Sequence, residues 1–245
     1  MSSEWESTLR LICFLTVLVS MTLWEIAAPR HHLTARKSAR WTVNLGLMIV
    51  NTALVRICLP ITAVGAAQFY VEDRNWGLLQ LVTWPAVVKV VISVIALDFL
   101  IYGQHVLFHS VPWLWRFHRL HHRDVDLDVT SGVRFHSVEI LLSAILKVAA
   151  VIVIGCPVTG VILFEILLNS MAMFNHSNAR IPASIDRLLR LIIVTPDMHR
   201  VHHSSDPVDH NHNFGFSVSC WDYLLRTYQA QSVGGTDEFT VGLKN

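Results

Sequence analysis

The sequence predicts an all-α integral membrane protein, built as a helical bundle of about four spans with a cytoplasmic histidine-rich metal-binding cap. Three observations support this fold class. Hydrophobic residues make up 53% of the chain and charged residues only 15%, with a mean hydropathy of +0.46, whereas soluble domains have about 25% charged residues. Long apolar segments alternate with basic segments, and the histidines are concentrated in three short motifs.

Five apolar segments approach the length of about 20 residues that a membrane-spanning helix needs. The last two are separated only by Gly155-Cys156-Pro157, so they are either a spanning hairpin or a re-entrant pair. The acidic N-terminus makes the first segment a retained span rather than a signal peptide. The segments are Leu11–Ala28, Trp41–Ala67, Gly77 to about His109, Val138–Ile154 and Val158 to about Phe174.

Basic residues predict the orientation of these spans. Of the 19 lysines and arginines, 14 lie in three segments that the spans place on one side, residues 29–40, 110–136 and the region from 176 onward. Because such an excess marks the cytoplasmic side, the histidine motifs are expected to face the cytoplasm. The net charge is only +1, and no basic run with interleaved aromatics suggests a nucleic-acid partner.

Three charged residues fall inside apolar segments, namely Arg56, Lys89 and Lys147. Charges within the bilayer are functional candidates. Long basic side chains also extend to the interface or pair with a neighbour, and this is the interpretation that we favour for these three.

The three histidine motifs are the strongest chemical signal. Residues three or four apart share one face of a helix, so each motif directs its imidazoles toward a common point, and imidazole binds iron, zinc, copper and nickel. Eight imidazoles exceed the needs of one metal, which indicates two metals with about four histidines each. His176, level with the motifs, is a plausible ninth ligand. The motif residues are His105, His109, His118, His121, His122, His199, His202 and His203.

Other polar residues near the motifs are expected to support the ligands. Asp98 and Tyr102 precede His105 on the same helical face, and a carboxylate beneath a ligating histidine fixes its tautomer. A packing role for Asp98 remains an equal alternative. The further candidates for such supporting contacts are His136, Glu139 and Asp197. We expect no catalytic residue beyond the ligands and these neighbours.

An acidic triplet, Asp124, Asp126 and Asp128, follows the second motif. Its surroundings lack the glycine and glutamate of a calcium-binding loop. The expected role is a solvated acidic turn or a set of partners for the imidazoles. His210 and His212 are expected in a polar loop, with His212 able to line the site.

The ordered motifs HVLFH, HRLHH and HRVHH resemble those of the fatty acid hydroxylase and sterol desaturase superfamily. The resemblance extends to DVDLDVTSGVRFHSVE, TPDMHRVHHS and NFGFSVSCWDYLLRTY. It covers residues 98–228, which we take as the catalytic region. Residues 1–97 then hold N-terminal transmembrane segments, and residues 229–245 form a C-terminal tail.

This resemblance implies a membrane oxygenase with two histidine-bound iron ions. Such enzymes use O2 and external electrons to hydroxylate or desaturate an unactivated C–H bond of a lipid, here a fatty acyl, sterol-like or ether lipid. The sequence shows no fused haem-binding motif, so the electron donor would be separate, a ferredoxin or a cytochrome b-type protein with its reductase. Zinc can replace iron in purified protein. The implied ligands are His105, His109, His118, His121, His122, His176, His199, His202 and His203.

Three other interpretations stay open. A metal transport or storage protein would place ligands along a path through the membrane. A bis-histidine haem protein would carry isolated histidines on two facing spans rather than adjacent pairs. A lipid-binding pseudoenzyme would share the motifs without turnover.

Overall fold

The computed structural model describes residues 3–235 and 240–243. Within these ranges the regular structure is helical, and β pairing is limited to isolated bridges, which confirms the all-α class. Five segments, rather than about four, are long and apolar enough to cross a membrane. They are Trp5–Ala27, Lys37–Glu72, Ala86–Ser110, Ser137–Ile154 and Val158–Asn175.

The described chain contains ten α-helices, and short 3-10 turns connect several of them. Of the five longest, α6 and α7 agree closely with apolar segments of the sequence, whereas α1, α2 and α4 differ from theirs at one end or both. The helices are α1 Ser3–Ala27, α2 Lys37–Cys58, α3 Ala63–Ala66, α4 Ala86–Ser110, α5 Pro112–His122, α6 Ser137–Ile154, α7 Val158–Asn175, α8 Ala183–Leu189, α9 Pro196–His202 and α10 Cys220–Leu224.

The second apolar segment, Trp41–Ala67, is not one continuous α-helix. α2 ends at Cys58 and α3 begins at Ala63. Pro60 lacks a backbone N–H and disfavours helical geometry in the residue before it. Leu59 is accordingly extended, with φ −103° and ψ 125°.

The third long helix, α4, begins at Ala86 instead of near Gly77. Pro85, with φ −53°, starts the helix, while Gly77 adopts φ 103°. A Cβ atom on Gly77 would overlap the backbone of Gly155, which itself has φ 79°. Glycine is required at both positions, since only glycine combines a positive φ with so close a backbone contact.

The long helices pack around a shared apolar core. α4 packs against α5 and α7, α1 packs against α7, and α2 packs against α6. Leu97 and Phe164 are fully buried where α4 meets α7. The end of the bundle where α4 and α7 finish and α6 begins carries α5 and α9, and we call it the histidine end.

The acidic triplet is buried, so the expectation of a solvated turn is wrong. The guanidinium of Arg40 donates to both carboxylate oxygens of Asp124, at 2.8 and 2.9 Å, and to Asp128 at 2.7 Å. The Asp126 carboxylate accepts the backbone N–H of Thr34 at 2.8 Å. Burial by itself raises the pKa of Asp124, but Arg40 outweighs burial and holds that pKa below its usual value. The triplet therefore fixes the α1–α2 loop to the segment that follows α5.

Charged residues in the spans are paired locally in two of the three expected places. Lys147 donates to Glu165 at 2.8 Å, and Arg10 pairs with the same carboxylate at 2.7 Å. Lys89 donates to a glutamine side chain in the preceding turn at 3.3 Å. Arg56, in the last turn of α2, is exposed and forms no hydrogen bond or ion pair with the described residues.

Candidate metal centre

The structure brings all nine candidate histidines together at the histidine end, in two groups. Within each group the potential ligand atoms lie within 4.8 Å of one another. All but one of the nine side chains are buried. Group one holds His105, His109, His118, His122 and His202, and group two holds His121, His176, His199 and His203.

The helical spacing explains how each motif serves both groups. In α5, His118 and His122 are four residues apart and face group one, whereas His121 faces group two. Adjacent residues of a helix point about 100° apart, so a neighbouring pair is divided between two centres. α9 divides its histidines in the same way, with its four-apart pair in group two. The two members of each His-His pair therefore belong to two neighbouring ligand sets.

The start of α9 sets the position of the third motif. Thr195 is the N-cap, its side chain accepts the N–H of Met198 at 3.3 Å, and Pro196 occupies the first turn. This is the helix start that the sequence indicates. Asp197 pairs with Arg30 at 3.0 Å, so it anchors the α1–α2 loop and is not a partner of an imidazole.

Hydrogen bonds fix the tautomers of two histidines in group two. Nδ1 of His176 donates to the carbonyl of Ala172 at 2.7 Å, and Nδ1 of His121 donates to a backbone carbonyl at 3.1 Å. A carbonyl only accepts, so each neutral ring carries its lone pair on Nε2. These two Nε2 atoms are 2.9 Å apart, and those of His199 and His203 lie 3.1 Å from that of His176. Lone pairs that converge so closely repel unless a cation lies between them.

Group one shows the same arrangement. Nδ1 of His105 donates to the carbonyl of Phe214 at 2.8 Å, and Nδ1 of His118 donates to Glu139 at 2.7 Å. The Nε2 atoms of the two rings then face each other at 3.2 Å with lone pairs on both. Carboxylate and carbonyl partners of this kind orient ligating histidines in metal sites.

Several ring nitrogens in group one are buried without a hydrogen-bond partner in the described chain. They include Nε2 of His202, whose Nδ1 donates to the carbonyl of His212 at 2.7 Å, and both nitrogens of His109 and His122. Buried polar atoms without a partner are destabilising. A bound metal ion would satisfy them, so the residues present fit a metal.

The separations also fit shared metal coordination. Metal–nitrogen bonds of about 2.0–2.1 Å place two imidazole nitrogens on one ion roughly 2.9–3.4 Å apart. The observed Nε2 pairs of His121–His176 and His105–His118 lie at 2.9 and 3.2 Å. An all-imidazole donor set suits iron, zinc, copper or nickel.

Electrostatics keep the ligands in the form that binds metal. Burial, reinforced by neighbouring imidazoles, lowers the pKa well below the ordinary value for five histidines outside the spans, and burial lowers the pKa of His176 to about 4. A neutral imidazole offers a lone pair, whereas an imidazolium does not. The five are His121, His122, His199, His202 and His203.

Two residues expected beneath His105 contact other groups. The carboxylate of Asp98 accepts the indole N–H of Trp221 at 2.8 Å, and the hydroxyl of Tyr102 bonds to Thr227 at 2.8 Å. The carbonyl of Phe214 takes the place beside His105 that the sequence suggested for Asp98. Both side chains instead hold the C-terminal segment against α4.

His136 is also occupied with local structure. Its Nδ1 accepts the backbone N–H of Val138 at 3.1 Å, which caps α6, and its ring packs against Phe117 with centroids 5.0 Å apart. Capping α6 positions Glu139 in its first turn. His136 therefore acts on the site through the helix that carries the partner of His118.

Sequence reasoning placed Asp222 and Phe214 in the catalytic region and named His212 as able to line the site, but it missed Asp222 and the Phe214 carbonyl as supports of the ligands. The carboxylate of Asp222 accepts the backbone N–H groups of Phe214 and Gly215, both at 2.8 Å, and so fixes the carbonyl of Phe214. His212 contributes its carbonyl, not its ring. The ring of His210 stacks on Trp115 at 5.2 Å and lies 5.9 Å from that of His109. Every residue has a backbone carbonyl, so the sequence does not show which carbonyl bonds to an imidazole. The only indication of this support was that the segment 209–222 lies close to the third motif in the sequence.

A cavity of about 590 Å³ adjoins group one. His105, His118 and Glu139 line one end of it, and charged side chains line the other. This volume lies within the range of small-ligand sites. Apolar side chains also line it, among them Ile101, Phe108, Phe135, Val148, Leu168 and Phe216.

Comparison with characterised proteins gives a consistent picture. The chain is 32% identical over 145 residues to the ornithine lipid hydroxylase of Rhizobium tropici, covering 59% of this chain and 43% of that protein. It is 21% identical over 196 residues to the alkylglycerol monooxygenase of Caenorhabditis elegans, covering 78% and 37%. It is 28% identical over 143 residues to the cholesterol 25-hydroxylase of Mus musculus, covering 58% and 47%. The aligned region is thus less than half the length of each of these relatives, and no solved structure gave a significant match.

The family model described as fatty acid hydroxylase matches residues 90–227. That range is more than half of the 245-residue chain. It contains the histidines of both groups, Glu139 and the Phe214 carbonyl, which together form the site described above. With its histidine motifs and this match, the chain belongs to the fatty acid hydroxylase family.

Proposed function

We propose that this protein is a membrane oxygenase that hydroxylates an unactivated C–H bond of an amphipathic lipid, using O2 and external electrons. One observation carries the proposal. Two groups of imidazoles converge at the histidine end, and the rings of His105 and His118 in group one line a cavity that apolar side chains also line. A redox metal pair beside a space shaped for an alkyl chain is the arrangement that such a reaction requires.

The ligand assignment follows the two groups. Group one would hold one ion through His105, His109, His118, His122 and His202, and group two would hold the second through His121, His176, His199 and His203. Iron in both positions would supply the oxidising chemistry, with one oxygen atom of O2 entering the C–H bond and the other leaving as water. The buried carbonyls and Glu139 orient the rings and keep Nε2 free of protons.

The cavity walls account for substrate positioning. Ile101, Phe108 and Phe216 surround the approach to His105 with apolar surface, which binds an alkyl or ring system and excludes water. The rings of His105 and His118 line this cavity, so a substrate bound in it would lie directly beside group one.

The choice of hydroxylation over desaturation rests on the relatives. The ornithine lipid hydroxylase, the alkylglycerol monooxygenase and the cholesterol 25-hydroxylase are all named for the insertion of oxygen. Their names point to lipids or lipid-like molecules of different chemistry. The substrate class for this chain is therefore an amphipathic lipid, with desaturation as the other outcome of the same C–H cleavage.

Charge distribution supports a cytoplasmic position for the metal groups. The basic α1–α2 loop is fixed to the histidine end through Arg30–Asp197 and Arg40–Asp124, and the other basic segments carry or adjoin the motifs. Cytoplasmic loops are enriched in lysine and arginine. A cytoplasmic site would receive electrons from a soluble ferredoxin or a cytochrome b-type partner.

The test loads the protein with Fe(II) without oxygen, in native lipid, and then adds O2 and a reductant. Mass spectrometry of the lipids follows the mass of one added oxygen atom, or the loss of two hydrogens. We expect the oxygenated product, and we expect His121→Ala and His202→Ala, one from each group, to abolish it.

Two further measurements make the result interpretable. Circular dichroism shows whether the variants keep their helices, and metal analysis shows how much iron each retains. An iron-loaded and folded wild type that leaves every lipid unchanged would support a pseudoenzyme instead. Zinc-loaded protein is the matched inactive control, because zinc fills the same ligands without redox chemistry.

A further inference from the structure

The end of the cavity away from group one is charged, although it lies within the membrane-spanning helices. It is lined by Glu6 and Arg10 of α1, Lys147 of α6 and Glu165 of α7, and Arg56 of α2 lines the same cavity. Charged side chains at this depth are costly and are usually paired or functional. The proposed oxygenase reaction does not account for them.

Helix geometry gives the distance between the two ends. Lys147 follows Glu139 by eight residues in α6, and Glu165 precedes Ala172 by seven residues in α7. At a rise of 1.5 Å per residue these intervals are roughly 12 and 10 Å. Glu139 and Ala172 both bond to candidate ligands. The charged end therefore lies about 10–12 Å from the histidines, past the middle of both helices.

Most of these charges neutralise one another. Glu165 pairs with Lys147 at 2.8 Å and with Arg10 at 2.7 Å, and Arg10 also pairs with Glu6 at 2.7 Å. These four side chains balance, with two cations and two anions. Arg56 is the fifth charge, and it has no hydrogen-bond or ion-pair partner among the described residues. Of these five charges, that of Arg56 is therefore the one that the described residues leave without a counter-charge.

We propose that Arg56 binds the anionic group of the substrate in this cavity and is its specificity-determining contact. The inference rests on the proposed oxygenase function, and it sets the orientation of the substrate. The alkyl chain runs from Arg56 along the apolar side chains of the cavity to His105. In the reverse direction the apolar end of the lipid would face Arg56 and leave a charge within the membrane-spanning helices without a partner.

Charge-dependent binding tests the proposal without any turnover. Zinc-loaded protein in phosphatidylcholine nanodiscs is titrated with laurate, lauryl phosphate and lauryl alcohol, and binding is measured by equilibrium dialysis. The three probes share one chain and differ in their polar group. We expect laurate or lauryl phosphate to bind more tightly than the alcohol, and their ranking distinguishes a carboxylate site from a phosphate site.

The variants separate the role of Arg56 from a general loss of charge. Arg56→Gln should weaken binding of the preferred anion about tenfold and leave the alcohol unchanged. Arg74→Gln is the matched control, because Arg74 is an exposed arginine that does not line the cavity, and it should leave all three probes unaffected. Arg56→Glu should reverse the preference and favour laurylamine.

Two results would overturn the inference. One is a wild type that binds the alcohol as tightly as both anions. The other is an Arg56→Gln variant that is folded and loses laurate and lauryl alcohol equally, or neither. Binding is measured on zinc-loaded protein, so an absence of charge-selective binding would not contradict the oxygenase proposal. Charge-selective binding without turnover after iron loading would contradict only the oxygenase proposal.

Discussion

The Nδ1 atom of His118 lies 2.7 Å from Oε1 of Glu139, and both side chains are buried. The carboxylate holds the proton on Nδ1 and leaves Nε2 free, facing Nε2 of His105. This pair belongs to α5 and α6, so a contact between two helices sets the orientation of a candidate ligand. Loss of the carboxylate should therefore weaken metal binding without removing any ligand.

We predict that Glu139→Gln lowers metal affinity at group one about tenfold, and that Glu139→Ala lowers it up to about 100-fold. The amide still accepts a hydrogen bond but carries no charge, which accounts for the smaller effect. Competition with a zinc chelator measures the affinity. Glu72→Gln is the control, because Glu72 bonds to the backbone of Val158 away from the histidine end, and equal affinity losses in both variants would contradict the assignment.

Arg40 should be among the residues that contribute most to folding. It is 7% exposed and neutralises Asp124 and Asp128. We predict that Arg40→Met destabilises the protein by about 3–5 kcal/mol, because two carboxylates remain buried without a counter-charge. Arg40→Lys should restore only part of the lost stability, because lysine lacks the planar guanidinium that donates to both carboxylate oxygens of Asp124.

Thermal unfolding in detergent, monitored by circular dichroism, measures the Arg40 effect. Arg36→Lys is the matched control, because Arg36 is an exposed arginine one helical turn earlier, and it should leave the melting temperature unchanged. Arg40→Met combined with Asp124→Asn should recover stability. A variant Arg40→Met as stable as the wild type would show that the buried network contributes little.

Metal-free protein should lose stability as the pH falls from 6.5 toward 4. Burial lowers the pKa of the group-two ligand His176 from 6.5 to about 4, and burial also lowers the pKa of His121, His199 and His203. Below pH 6.5 the unfolded chain takes up protons that the folded chain does not, which favours unfolding. Each such group contributes a slope of about 1.4 kcal/mol per pH unit.

The measurement is the melting temperature of chelator-treated protein across this pH range. His176→Asn and His203→Asn should each flatten the profile, because an amide does not titrate. His32→Asn, at an exposed position of the α1–α2 loop, should leave the slope unchanged. A wild-type melting temperature that stays constant between pH 6.5 and about 4 would contradict the burial of neutral imidazoles.

Gly132 allows the segment after α5 to approach α7. A Cβ atom at this position would overlap the carbonyl oxygen of Ala172, which accepts the Nδ1 proton of His176. We predict that Gly132→Ala lowers both the melting temperature and the metal content of group two. Gly103→Ala is the control, since no heavy atom lies within 4 Å of its Cβ position, and alanine there favours the helix by up to about 1 kcal/mol. Equal behaviour of the two variants would refute this role of Gly132.

Helical spacing predicts that the histidine motifs form groups of imidazoles, but the expectation that each motif directs its imidazoles toward one common point is wrong for the second and third motifs, which divide theirs between the two groups. His118, His121 and His122 share a helix, so their division between two centres follows from 3.6 residues per turn. His176 could be placed near the motifs only by its position at the end of a span, and it lies at the centre of group two. The long helices followed from hydropathy, except where Pro60 and Pro85 moved their ends.

The long-range partners could not be predicted from spacing. Asp98 meets Trp221, which is 123 residues away, and Arg40 meets Asp124 across 84 residues. Nothing local to the acidic triplet indicates that a distant arginine will bury it. The contact of the Phe214 carbonyl with His105 could not be predicted for a different reason. Every residue has a carbonyl, and only the fold determines which one meets the imidazole.

The division into two groups predicts the metal stoichiometry. We expect wild-type protein to bind two zinc ions per chain. His203→Ala leaves three of the four group-two ligands and should lose that ion, so native mass spectrometry or metal analysis should show one ion remaining. His109→Ala leaves four of the five group-one ligands, so it should retain both ions but lose the ion of group one more readily to a chelator. His212→Ala should retain both ions, since its carbonyl, which accepts from His202, survives the substitution. Loss of both ions from His109→Ala would indicate a single shared centre. Loss of an ion from His212→Ala would show that the ring of His212, and not its carbonyl, supports the site.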